Sequence, residues 1–248
     1  MITVLRARGI GEPISGDSQM LGNVTLLLDK ARFVIKNVPW SAQYGPAPTP
    51  LGESFTVALE HGRTRLLNMI YDDPNPVVML GYSGGAALVG NVAAEIGLGL
   101  WPELDVRGVG LIADPCRSPV NSVNPGAVDF GVARARAVVA PFPVWQLADP
   151  ADAIPCCPPN SPFRTFSDES AAFSLIDPAA WGRDLYGRIE THHMQDVNSH
   201  IADYARALWD LDGYLRRGDH TSYHRRAFPG TNRTYCGWLA DRINEIRE

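Results

Sequence analysis

The pentapeptide Gly81-Tyr82-Ser83-Gly84-Gly85 offers the most distinctive chemistry in this chain. Its GxSxG pattern is that of a nucleophile elbow, where a serine sits on a strained turn between a strand and a helix. Small residues two places before and after it let strand and helix approach closely. A serine hydroxyl is a poor nucleophile unless a histidine takes its proton and an acid orients that histidine. With such an elbow the chain order runs serine, then Asp or Glu, then histidine. That order makes the later acids and histidines the residues to weigh.

The acid belongs just past a later sheet strand. Pro143 to Leu147 reads as that strand, and the loop after it carries Asp149 and Asp152. Asp149 precedes a proline near the strand end and suits a turn cap; Asp152 is the preferred acid, although pattern alone leaves both open. Of six histidines, His61 precedes the serine, and His192, His193 and His200 fall in a helix-prone stretch. His220 and His224 remain. His220 lies in a Gly-marked loop before the last helix, where the base is expected. A metal site is the rival use of these histidines, but they lack a cysteine partner set and the HExxH pattern, so no metal is expected. Acyl transfer also needs donors for an oxyanion. One is the amide after the nucleophile, that of Gly84. The other is expected from the loop after the first strand, Ala7-Arg8-Gly9-Ile10-Gly11-Glu12-Pro13.

These residues need a frame. Asn75 to Tyr82 is a Pro-led apolar run that stops at the Gly-rich turn, and an Ala-rich helix follows to about Gly97. Further buried strands are expected at Ile2 to Arg6, Arg32 to Val38, Gly108 to Ala113 and Pro143 to Leu147. Amphipathic segments lie between them at Asn23 to Ala31 and Glu53 to Tyr71; in the latter Phe55, Leu59, Leu66, Leu67 and Ile70 can share one helical face. Strands alternating with helices predict a parallel sheet covered on both sides. From about Asp168 to Arg217 the texture turns helical, with Trp181, Leu185 and Ile189 in one series. Ile201, Tyr204, Leu208, Leu211 and Leu215 form another. Asn232 to Ile246 reads as a closing helix.

The 248 residues carry 45% hydrophobic and 20% charged side chains, which excludes disordered and fibrous classes and allows one core with an insertion. With 22 basic against 27 acidic residues and no block of like charge, a nucleic-acid partner is not expected. Only Lys30 and Lys36 are lysines, so 20 of those 22 are arginines, a bias that fits a GC-rich coding sequence. No apolar run approaches the roughly 18 to 20 residues that span a bilayer. The segment Met1-Ile2-Thr3-Val4-Leu5 runs straight into Arg6 and Arg8, so no export signal is expected. Cys116, Cys156, Cys157 and Cys236 are too few and too irregular for a disulfide framework; mostly free thiols are expected, with a Cys116 to Cys156 bridge the one alternative.

The motifs together resemble the cutinase family, and more closely its phage branch, the lysin B mycolylarabinogalactan esterases. ARGIGEP looks like the cutinase oxyanion-loop pattern ARGSTEP or ARGTTEP, and GYSGG like GYSQG. ADPADAI is similar to the family's CNPTDAV, which implies Asp152 as the acid, and His220-Thr221-Ser222-Tyr223 is similar to its HxxY. The resemblance implies a cutinase-like α/β-hydrolase fold and a triad of Ser83, Asp152 and His220 that needs no cofactor. It departs at Ile10, which replaces a Ser or Thr, so only the Ile10 amide would join Gly84 in the oxyanion hole. Gly84 itself stands for Gln. The family's disulfide pattern is absent. Asp152 and His220 are 68 residues apart, where cutinases use a short loop. A helical insert there resembles lysin B. The expected division is a hydrolase core of 1–155 and 218–248 and a linker or lid insert of 156–217.

The lysin B resemblance implies hydrolysis of the ester joining mycolic acids to arabinogalactan in the mycobacterial envelope, by a monomer that is made in the host cytoplasm and released by holin. It also implies lipid esters as partners, and an insert whose aromatics, Phe173, Trp181, Tyr204 and Trp209, face long acyl chains or seal the insert to the core. The alternatives are a general cutinase-like carboxylesterase or lipase and, from another class, a non-catalytic envelope-binding module on a hydrolase fold. All three triad residue types are present, which disfavours the last.

Overall fold

A computed structural model describes residues 1–15, 19–123, 129–171 and 200–247. Five parallel strands form one sheet in the order β2-β1-β3-β4-β5: β1 (Ile2–Ala7), β2 (Phe33–Asn37), β3 (Val77–Tyr82), β4 (Val106–Ile112) and β5 (Val144–Leu147). Every residue of β1 and β3 is buried, which explains why both read as unbroken apolar runs. The edge strand β2 alternates instead, and Lys36 on it pairs with Asp73 at 2.7 Å.

Helices cover both faces. On one, α2 (Phe55–Tyr71) and α3 (Gly84–Gly97) pack Phe55, Leu66, Leu67, Leu88 and Val92 against Leu5, Met79 and Leu111. The helix α3 is buried nearly all round, as its Ala, Gly and Val content permits. The other face takes α1 (Gly22–Thr25) and the closing helix α6 (Tyr235–Asn244), whose Leu239, Ala240 and Ile243 meet Val4, Leu80 and Ile112. The fold is an α/β-hydrolase type of doubly covered parallel sheet.

Two expectations change. The amphipathic segment Asn23 to Ala31 is helical only to Thr25, because the Asp29 carboxylate accepts from the Ala31 amide and its carbonyl from Arg32 and Phe33, closing a turn. The segment 156–217 contains α4 (Phe163–Ser170) and α5 (Ile201–Asp212), while 172–199, with Phe173, Trp181, Leu185, Ile189, His192 and His193, lies outside the described residues. On α5 the apolar series is helical but faces outward: Ile201 is 91% and Leu208 69% exposed, and Tyr204 and Leu211 are also exposed. The side turned inward carries Ala207 and Asp210, the latter held by Arg206 at 2.8 Å.

The sheet order switches direction between β1 and β3, since β2 lies outside β1 while β4 and β5 continue beyond β3. Ligands of open parallel sheets bind outside the carboxyl ends of the strands at such a point. Ala7 is paired with Gly81, so the loop leaving β1 and the turn leaving β3 meet there.

Candidate active site

Ser83 stands at the N-cap of α3 with φ 53° and ψ −121°, a left-handed backbone that a side chain rarely adopts. Its neighbours explain how the turn is tolerated. A Cβ on Gly81 would lie 2.5 Å from the Gly85 carbonyl oxygen, and one on Gly85 would lie 2.1 Å from that of Ala7. Only glycine allows β1, β3 and α3 to converge so tightly.

From this elbow the Ser83 hydroxyl lies 2.8 Å from His220 Nε2, and His220 Nδ1 lies 2.8 Å from Asp152 Oδ2. With the proton on Nδ1, the imidazole donates to Asp152 and accepts from the serine. Asp152 and His220 are buried, and the second Asp152 oxygen accepts from the Ile154 amide at 3.0 Å. The acid is therefore fixed by backbone as well as by its partner.

Asp149 does something else. Its Oδ1 accepts from the Ala151 amide at 2.9 Å, capping the turn as its sequence position suggests, and its Oδ2 pairs with Arg226 at 2.6 Å. Arg226 also pairs with Asp219, the residue before the histidine. It thus joins the acid loop to the histidine loop, and these ion pairs outweigh burial to raise its pKa above the ordinary guanidinium value. Of the other histidines, His61 pairs with Glu53 at 3.0 Å, His200 caps α5, and His224 lines the cleft away from the Ser83 hydrogen bonds. Among the described residues no group of three or more His, Cys, Asp or Glu is placed to hold a metal ion.

The loop after β1 is stiffened by its own polar residues. Glu12 accepts from the Gly9 and Met20 amides, both at 2.8 Å, and Arg8 donates to the Glu12 and Ser41 carbonyls. The Gly11 amide goes to the Ala42 carbonyl and that of Glu12 to Gly9, whereas among the described residues nothing accepts from the Ile10 amide. The Gly84 amide belongs to the first turn of α3, where helix donors have no internal acceptor. The Ile10 side chain takes the space beside it: a Cβ on Gly84 would lie 2.8 Å from Ile10 Cδ1 and 3.3 Å from Phe55 Cε2. The two departures from the cutinase motifs are thus spatially one, an isoleucine filling room that a larger residue at 84 would claim.

The hydroxyl opens on a cleft of about 1430 Å³. Its lining includes the apolar Tyr44, Phe55, Leu59, Phe163 and Phe166 and the polar Arg63, Asn91, Glu95 and Arg136. Arg136 reaches the buried Asp114 past β4 at 2.6 Å, and Gln146 donates to the same carboxylate at 3.0 Å. Burial raises the Asp114 pKa despite these donors.

Tyr82, Tyr223, Tyr214, Glu12 and Arg226 escape the sequence reading. Tyr82 stacks on the His220 ring at 5.3 Å and donates to its carbonyl at 3.0 Å. The motifs contained Tyr82, Tyr223 and Glu12 without a role, and only their long-range contacts supply one. All four cysteines are free thiols, and burial pushes Cys116, Cys156 and Cys236 each up to about 12.

With this geometry in hand, comparison with solved structures gives the fold a context. Lysin B from Mycobacteriophage D29 matches over 98% of both chains with a TM-score of 0.52 and 15% identity. An acetyl xylan esterase matches 79% of this chain and 98% of its own, with a TM-score of 0.50 and 16% identity, and a second structure titled acetylxylan esterase gives 0.50 and 14%. Similarity this low in identity speaks to the fold alone, which this chain shares with these esterase structures. No protein-family description matches the sequence, and no curated protein matches it. Among the described residues no helix is long and apolar enough to cross a membrane.

Proposed function

We propose that this chain is a serine esterase whose nucleophile is Ser83, and that its substrate is the ester between mycolic acids and arabinogalactan. The observation that carries the chemistry is the unbroken hydrogen-bonded series Ser83, His220, Asp152 at an elbow that opens on the cleft. In this reading Ser83 attacks the ester carbonyl as His220 takes its proton. Asp152 holds the imidazole in the tautomer with hydrogen on Nδ1 and stabilises the imidazolium that forms.

The amides of Gly84 and Ile10 stabilise the oxyanion. His220 then gives its proton to the departing sugar oxygen, leaving an acyl-serine. A water molecule, deprotonated by His220, attacks the acyl-serine, and the acid leaves as Ser83 regains its proton. These steps use the chain's own residues alone.

The finer substrate rests on the motif resemblance and on the lysin B likeness, which covers 98% of this chain. The cleft suits such a substrate, since both apolar and polar side chains line it beside the serine. In this reading residues 156–217 are a linker or lid that shapes the cleft, and the enzyme acts as a monomer at the envelope after holin-mediated release. The test is incubation with purified mycolylarabinogalactan-peptidoglycan and assay of free mycolic acid, with Ser83→Ala as control. Release by the wild type alone supports the reading. Hydrolysis of simple esters without release would instead make it a general carboxylesterase.

A further inference from the structure

Both nitrogens of His220 are engaged in the ring plane, but a ring can still tip or turn about its Cβ bond. Two tyrosines border it. Tyr82 comes from the elbow, and Tyr214 comes from the π-helical turn Gly213–Arg217 that follows α5 at the end of the insert segment. The Tyr214 ring centroid lies 5.2 Å from that of His220, with the planes 37° apart. Tyr214 lines the cleft and is 47% exposed, so it is open to the space a substrate would enter.

The turn that carries Tyr214 is locked to the histidine loop. Arg217 donates to the buried Asp219 carboxylate at 2.9 Å, and that carboxylate lies so near the Gly213 backbone that a Cβ there would be 2.3 Å from it. Arg226 holds the same Asp219 and reaches Asp149 across the acid loop. Arg217 also pairs with Asp212 at 3.0 Å and lies over the Trp209 ring at 3.9 Å, so the lock extends back into α5. Single-turn π geometry is frequent at functional sites, because it redirects a side chain that an α-helix would turn elsewhere.

We propose that Tyr214 is a positioning residue for His220, through which the end of the insert segment controls the base. Its aromatic ring keeps the imidazole in line with Ser83 and Asp152. When the ring becomes imidazolium, the face of the tyrosine also favours the positive charge. This rests on the esterase reading of Ser83.

The experiment uses the full chain with Tyr214→Phe, Tyr214→Leu and Tyr214→Ala, measuring kcat and KM on p-nitrophenyl butyrate, with Ser83→Ala alongside. Tyr214→Phe keeps the ring and should stay within about twofold of wild type, while the Leu and Ala variants lose about tenfold or more in kcat with KM within about threefold. Tyr214→Leu keeps the bulk, so a lost fold and a lost aromatic face are told apart by thermal melting of both variants. Wild-type kcat in the Leu variant, or a change in KM alone, overturns the proposal. Full activity in Ser83→Ala would overturn the esterase reading instead, whatever the Tyr214 variants do.

Discussion

The Tyr223 hydroxyl donates a 2.8 Å hydrogen bond to Asp152 Oδ2, the same oxygen that faces His220, and accepts one from the Asp149 amide at 3.1 Å. One buried phenol thus links the acid to the start of its own loop. Burial raises the Tyr223 pKa well above the ordinary tyrosine value, with the Asp152 charge adding to it, so the hydroxyl stays a donor at any working pH. Tyr223→Phe should lower kcat about tenfold with little change in KM, and should destabilise the protein by about 1–2 kcal/mol by stranding a buried amide. Steady-state kinetics and urea unfolding check both; unchanged kcat would reduce Tyr223 to packing.

Asp149 and Asp152 separate cleanly by their partners, Arg226 for the first and His220 for the second. Asp152→Asn should cost on the order of a thousandfold or more in kcat, because it favours the wrong imidazole tautomer. Asp149→Asn should keep most activity yet lower the melting temperature, since it breaks the pair with Arg226. Equal losses from the two variants on a p-nitrophenyl ester would contradict this division.

The elbow tolerates no side chain at Gly85. Gly85→Ala must push Cβ into the Ala7 carbonyl, and a loss of about 3 kcal/mol or failure to fold is expected. Chemical denaturation of this variant against Gly99→Ala, whose added Cβ meets nothing within 4 Å and which bears only the cost of a φ of 76°, measures it. A cost at Gly85 no larger than at Gly99 would show that the convergence of β1, β3 and α3 is looser than described.

Glu95 provides a pH test. Burial pushes its carboxyl upward, but the paired hydrogen bonds of Arg63 at 2.6 and 2.7 Å and one from the Trp101 indole at 3.0 Å outweigh it, leaving the pKa below the ordinary range. A depressed carboxylate contributes stability that is present above its unfolded pKa and lost as pH falls through the folded one. Glu95→Gln should therefore cost about 1 kcal/mol at pH 7 and less at pH 3, read from thermal melts at both. The same cost at both would contradict the linkage.

Thiol reagents should leave the proposed esterase activity intact. With Cys116, Cys156 and Cys236 each pushed up to about 12, their thiolates are scarce at pH 8. Iodoacetamide at that pH is expected to spare activity in the native protein and to alkylate all four cysteines after unfolding. Rapid native inactivation would contradict it.

The frame and the elbow were legible because their causes are local. Strands buried on both faces, such as β1 and β3, become apolar runs, and the crowding at Ser83 demands glycines at fixed offsets. Position after the strand favoured Asp152 over Asp149 only moderately and the motif resemblance sharpened that choice, since both follow the same strand and only the fold tells which one faces His220. Tyr214, Tyr223 and Arg226 were silent, because a pairing across a loop leaves no period to read. Spacing also shows which residues of α5 share a face but not which way that face points, and there the buried side belongs to Ala207 and Asp210.

The central claim is that Ser83 is an activated nucleophile. The most direct measurement is the intact mass of the full chain after treatment with a fluorophosphonate, followed by peptide mapping. A single adduct on Ser83, lost in Ser83→Ala and strongly slowed in His220→Ala, is the predicted result. No adduct, or labelling that persists in Ser83→Ala at the wild-type rate, would contradict it.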